Sequence, residues 1–183
     1  LNPTLVLIDI QNDYFPGGRM TLHGSPEAGQ QAHRLLEHFR RHALPTVHVQ
    51  HLAASPRATF FLPGTEGAEI HASVTPKQGE RVVQKHFPNS FRETGLLELL
   101  RTGGAGRLVF CGMMTHMCVD ATVRAAADLG FECLLAHDAC ATRALSQGGV
   151  TVPAEHVHLA FLAALGSAYA KVQSTDEILA GFA

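Results

Sequence analysis

Six short strand-like runs alternate along this chain with stretches of helical spacing, and that alternation limits the fold more than any other feature. Thr4 to Ile10, Pro45 to His51, Arg81 to Lys85, Arg107 to Gly112, Phe131 to His137 and Ala170 to Gln173 read as strands. Helices are predicted over Pro26 to Ala43, Glu93 to Arg101, Cys118 to Leu129, Pro153 to Ser167 and Thr175 to Leu179. In the first helix Ala32, Leu35, Leu36, Phe39 and Ala43 form one apolar face, and Ser25-Pro26 supplies an N-cap followed by a proline at the first helical position. Strands apolar on both faces and separated by helices predict an α/β fold, a parallel sheet covered by helices through right-handed crossovers. The 183 residues suit a single domain, 1–183.

Composition removes several function classes. Fourteen Lys and Arg against sixteen Asp and Glu give a formal charge of −2, so no global positive field exists to hold nucleic acid or an anionic membrane. Apolar runs such as Leu5 to Ile8 are far shorter than the ~20 residues that span a bilayer. No signal-peptide pattern opens the sequence, so a cytoplasmic protein is expected, with a few residues missing before Leu1. The cysteines at 111, 118, 133 and 140 contain no Cys-x-x-Cys pair, and reduced thiols are expected.

Ligands of parallel α/β sheets gather at the carboxyl ends of the strands. Asp9 sits near the end of the first strand, where a carboxylate among isoleucines needs a partner. Lys85 ends the third strand, and Cys118 opens the helix after the fourth. A thiol at a helix N-terminus near a lysine is expected to shift toward thiolate and to alkylate before the other three. Unpaired backbone N–H groups at that helix end can also stabilise an oxyanion. Leu52 to Gly79, with three prolines and three glycines, reads as a long surface excursion of the kind that forms lids and binding loops. Tyr14, Phe15, Phe61, Leu62 and Phe91 lie on loops near the expected mouth, and His51 ends the second strand; Phe15, His51, Phe61 and Phe91 are the substrate-binding candidates. Asp138 reads as a cap of the next turn. The glycines of 103–106 precede their strand, which argues against a dinucleotide site.

The segments Leu5 to Asp13, Lys85 with Asn89-Ser90-Phe91, Gly112 to Ala126, and Gly130 with Asp138-Ala139 together resemble the isochorismatase-like cysteine hydrolase superfamily, whose members include nicotinamidases and N-carbamoylsarcosine amidohydrolases. The resemblance covers nearly the whole chain. It implies a three-layer, Rossmann-like α-β-α fold with six parallel strands, a catalytic triad of Asp9, Lys85 and Cys118, a cis peptide before Met114, and an oxyanion hole from the N–H groups of Met114 and Cys118. It further implies a homo-oligomer, dimer or tetramer, acting on a small molecule.

No cofactor is expected and no metal. Nicotinamidases carry an Asp-x-His metal pair after the second strand, whereas this chain reads Val47-His48-Val49-Gln50-His51 there, so nicotinamide is expected to be a poor substrate. His38 and His42, four apart on the first helix, lack a visible third ligand and read as a solvated face. The expected activity is cleavage of an amide, carbamoyl or ureido C–N bond through a thioester on Cys118. A vinyl-ether hydrolase with Cys118 as bystander, and a non-catalytic binding protein on the same fold, remain open alternatives.

Overall fold

A computed structural model describes residues 2–182. Six strands, β1 (Pro3–Ile8), β2 (Thr46–His51), β3 (Arg81–Lys85), β4 (Arg107–Met113), β5 (Glu132–Ala141) and β8 (Lys171–Gln173), form one sheet in the order β3-β2-β1-β4-β5-β8. Every pairing in it is parallel. The helices are α1 (Ser25–Arg41), α2 (Leu96–Thr102), α3 (Asp120–Asp128), α4 (Ala154–Ala168) and α5 (Thr175–Ala180). A two-stranded antiparallel hairpin, β6 (Leu145–Gln147) and β7 (Val150–Val152), stands between β5 and α4. The sequence reading missed it because its strands are only three residues each and mostly exposed. No described helix is long and apolar enough to cross a membrane.

Alternation along the central strands creates two cores. Leu5 and Leu7 of β1 and Val109 and Cys111 of β4 pack with Leu35, Leu36 and Phe39 of α1 and Ile178 of α5. Val6, Ile8, Leu108 and Phe110 face the other way, toward Leu96 and Leu100 of α2, Val123 of α3 and Leu165 of α4. Both faces of these strands are removed from water, which explains their continuous apolar runs. The chain steps from β1 outward to β2 and β3, then returns to β4 on the other side of β1. That reversal leaves a crevice beyond the carboxyl ends of β1 and β4.

Two local expectations change. The residue before α1 is Gly24, in the left-handed region at φ 70°, and the Ser25 hydroxyl donates back to the Leu22 carbonyl instead of capping the helix. Ala43 lies beyond the helix end with φ 52° and is exposed, so the buried face of α1 stops at Phe39. The histidine pair also differs from a solvated face: His38 is buried against Phe39 and Phe182, with His42 stacked on it.

Gly112 sits opposite Ile8 in the β1–β4 register, at φ 133° and beside a register shift between β4 and β5. A Cβ there would overlap the Ile8 carbonyl, so only glycine lets the two strands meet under the crevice. Gly112→Ala is expected to cost about 2–4 kcal/mol in urea unfolding, from strained backbone and overpacking together. Gly130→Ala, at φ 89° with nothing within 4 Å, is expected to cost only about 1 kcal/mol.

Candidate active site

β1 ends at Ile8, and Asp9 turns out of the strand with φ 51°, its N–H donating to the Val49 carbonyl at 3.0 Å. Aspartate tolerates this left-handed conformation better than most residues. Its carboxylate is fully buried, and Oδ2 accepts a hydrogen bond from Lys85 Nζ at 2.6 Å. Oδ1 has no hydrogen-bond partner among the described residues. Lys85 reaches Asp9 from the edge strand by passing over β2, where His51 lies next to it in register. There Nζ also meets His51 Nδ1 at 2.9 Å. Ammonium has no acceptor, so Nδ1 must accept and the imidazole proton resides on Nε2. Burial and then the neighbouring Lys85 cation depress the His51 pKa to about 4, which keeps the ring neutral. Burial works to discharge Lys85, but Asp9 and Cys118 outweigh it and its pKa lies above the ordinary value.

Cys118 is the third member of this corner. Its Sγ, a carboxylate oxygen of Asp9 and a ring nitrogen of His51 lie within 4.8 Å of one another. It does not open α3 as the sequence suggested. It sits within a π-helical turn, Thr115–Val119, that follows the cis peptide Met113-Met114 and precedes α3. The expected depression of its pKa is also reversed: burial, and then the Asp9 carboxylate, push the thiol well up against the opposing pull of Lys85. The resting group is a thiol. Burial likewise raises Cys133 and Cys140 to about 12, so acidity does not single out Cys118. Position does, because Cys118 alone of the four cysteines lines the recess above the corner that holds Asp9, Lys85 and His51.

That recess, about 250 Å³, is walled by Tyr14, Phe60 and Phe61 and by the thioethers of Met20, Met114 and Met117. The rings of Tyr14 and Phe61 pack at 4.5 Å and those of Phe60 and Phe61 at 5.0 Å. Arg143, exposed just after β5, stands at its rim. Of the substrate-binding candidates, His51 and Phe61 line the recess, and Phe60 takes the place considered for Leu62. Phe15 does not. After the tight turn Asn12–Tyr14 the chain extends, and Phe15 points the opposite way from Tyr14, stacked on His71 at 3.5 Å along a separate cleft. Phe91 is also elsewhere. The Ser90 N–H and hydroxyl both bond Thr122 Oγ1, and this tie to α3 turns Phe91 onto Phe131 within the second core. Asp138 accepts from the Thr175 N–H and hydroxyl, both at 2.8 Å, holding the start of α5.

Two positioning residues escaped the sequence reading. Gln11 donates to the His51 and Ala68 carbonyls and accepts from the His51 N–H at 2.8 Å, fixing the strand end that carries the imidazole. Buried Asp13 accepts from the Phe61 N–H at 2.6 Å and the Arg19 N–H at 3.1 Å. It thereby anchors Phe61 in a left-handed conformation, φ 55°, and draws the 52–79 excursion over the crevice. The signal for both was available: polar side chains immediately after a buried strand need partners.

The neutrality of His51 links stability to pH. Its folded pKa, about 4, lies below the ordinary value near 6.5, so the unfolded chain binds more protons between those limits. The stabilisation is therefore whole above about pH 6.5 and is lost as pH falls toward 4. Burial lowers His48, His116 and His158 in the same direction. From pH 7 to pH 5 the His51 contribution is expected to fall by about 2 kcal/mol. Urea midpoints at the two pH values should drop less for His51→Gln than for the parent; an equal drop would contradict a neutral His51.

Comparison with known proteins shows the family. The isochorismatase domain matches residues 3–177. The isochorismatase family protein YddQ of Bacillus subtilis is 51% identical over 179 residues, covering 98% of this chain and 99% of that one. A streptothricin hydrolase of Streptomyces noursei is 36% identical over 141 residues, 75% of this chain and 49% of the other. The crystal structure of an isochorismatase hydrolase from Oleispira antarctica superposes with a TM-score of 0.95 at 52% identity, covering 98% of this chain and 97% of that one. With the family domain spanning nearly its whole length, this chain belongs to the isochorismatase family and is a hydrolase.

Proposed function

We propose that the protein is a cysteine hydrolase that cleaves the C–N bond of a small amide, carbamoyl or ureido compound through a thioester on Cys118. The observation that carries this reading is the buried Asp9–Lys85 pair, 2.6 Å apart, with the Cys118 thiol beside it at the floor of a recess. The streptothricin hydrolase relative supports the general class; this chain spans about half of that protein's length, so its substrate is not carried over.

Because the resting thiol is protonated, attack on the carbonyl carbon is coupled to proton transfer from Cys118 to Asp9. Lys85 stays cationic throughout and balances first the carboxylate and then the developing charge. Asp9 returns the proton to the departing nitrogen, the C–N bond breaks, and an acyl group remains on sulfur. Water then attacks the thioester, giving its proton to Asp9, which restores the thiol as the acid leaves. The backbone N–H groups of Met114 and Cys118 are assigned to the oxyanion. Asp9, Lys85 and Cys118 account for every proton in this cycle, so no metal is required.

The recess restricts the substrate. Its volume lies below the ~300–1,000 Å³ of drug-sized pockets, which favours a compact molecule. Its walls are aromatic and thioether, its inner polar group is the neutral His51, and its one formal charge is Arg143 at the rim. This suits a small acyl or ureido compound with a flat apolar part and a carboxylate directed outward to Arg143.

The outward face of α4 supports a homo-oligomer in which a second copy docks there. Leu159 is 66% exposed on it, Val150 of the preceding hairpin is equally exposed, and residues 144–170 contain one formal charge, Glu155. A face with a single formal charge meets its own copy with little like-charge repulsion, and an isolated hairpin gains stability from such cover.

In an ammonia-release assay over primary amides and ureido acids, Cys118→Ala and Asp9→Asn are each expected to lower kcat by at least ~10³-fold. Ammonia release undiminished in Cys118→Ala would overturn the thioester on Cys118. Arg143→Ala should raise KM about 10- to 100-fold for ureido acids and leave neutral amides nearly unchanged. Leu159→Glu should halve or quarter the mass in sedimentation, and a monomeric parent protein would overturn the docking of a second copy.

A further inference from the structure

We propose that Asp9, His51 and Cys118 form a binding site for a soft divalent cation such as Zn²⁺, and that its occupancy blocks the nucleophile. The inhibitory consequence rests on the function proposed above; the binding itself does not. An oxygen, a nitrogen and a sulfur donor from these residues lie within 4.8 Å of one another. Tetrahedral zinc with bonds of about 2.0–2.3 Å places its ligand atoms roughly 3.3–3.8 Å apart, so side-chain movements of about 1 Å close the set. Asp9 Oδ1 is fully buried and has no hydrogen-bond partner among the described residues, so one donor is free at rest. The Nδ1 lone pair of His51 is engaged by Lys85 and becomes available to a metal when the ammonium moves aside.

The mixed sulfur, nitrogen and oxygen set selects the metal. Thiolate and imidazole suit zinc, cadmium or cobalt, whereas Mg²⁺ and Ca²⁺ take oxygen ligands. Binding replaces the S–H bond with a metal–sulfur bond and releases one proton, with no change of oxidation state. A fourth position would face the recess.

Lys85 is the internal competitor. Its ammonium already holds Asp9 Oδ2 at 2.6 Å and His51 Nδ1 at 2.9 Å. At rest the carboxylate and ammonium cancel, and the thiol and imidazole are neutral. Adding a dication and removing the thiol proton leaves one net positive charge in a buried corner. Affinity is therefore expected to be micromolar and reversible, far from that of a structural zinc site. The same charge count makes a distinctive demand: removing the lysine charge should strengthen metal binding while it damages catalysis.

The test is calorimetric titration of the chelator-treated full chain with Zn²⁺, and ultraviolet titration with Cd²⁺ for the sulfur-to-cadmium charge-transfer band. One ion per chain, a cadmium band and no heat with Mg²⁺ are expected. Cys118→Ala should abolish the band, His51→Ala should weaken zinc binding at least tenfold, and Lys85→Met should strengthen it at least tenfold. Because Lys85→Met leaves Asp9 unpaired, Lys85→Gln is measured alongside, with the circular dichroism of both compared to the parent. A cadmium band that survives Cys118→Ala, weaker binding in a folded lysine variant, or no zinc heat with the parent would overturn the proposal. These readouts do not use turnover. Metal binding without amide hydrolysis would refute the proposed function and leave the site standing, whereas hydrolysis unaffected by zinc would do the reverse.

Discussion

A lysine ammonium and an aspartate carboxylate, both fully removed from water and 2.6 Å apart, are the interaction on which the rest of this molecule depends. Burying two such ions costs several kcal/mol each before their attraction returns it, so the surroundings must fix their geometry. The parallel sheet does this. Lys85 comes from the edge strand, crosses the end of β2, and meets Asp9 at the end of β1, with His51 accepting a further bond on the way. A shift in the β2–β3 register would move Lys85 away from His51 and leave Asp9 as an uncompensated charge.

The same pair determines the chemistry of the thiol. Cys118 lies between a carboxylate that opposes its ionisation and an ammonium that favours it, under a burial that adds to the first. The corner therefore stores its proton on sulfur and keeps the carboxylate ready to take it. Under the proposed function, such an arrangement protects Cys118 from indiscriminate reaction and ties its activation to a carbonyl that accepts the developing charge. It also explains why a metal ion would compete on these terms: the donors are poised, and a resident cation guards them.

Above the corner, polar side chains rather than apolar packing hold the long excursion in place. Gln11 and Asp13, within four residues of Asp9, each bond backbone groups far along the chain, at His51 and Ala68 and at Phe61. Gly67 leaves no room for a Cβ beside the Asp13 carboxylate, so loop and anchor fit closely. The short segment after β1 thus supplies the acid, the clamp for β2, the anchor for the loop and, in Tyr14, one wall of the recess.

The alternation of strand and helix, the two-faced burial of β1 and β4, and the order of Asp9, Lys85 and Cys118 along the carboxyl edge were legible in the sequence. These features depend on local periodicity and on the direction rule of parallel sheets. Tertiary structure alone decided the rest. It chose Tyr14 over Phe15 and Phe60 over Leu62, because a single tight turn reverses which neighbour faces inward. It sent Phe91 into the second core, because a hydroxyl on α3 captures Ser90. It brought Arg143 to the rim from a position with no motif around it, and it reversed the expected acidity of Cys118. Acidity and contact across a crevice depend on burial and on distances between segments far apart in the chain, and those distances exist only once the strands are in register and the loops have found their anchors.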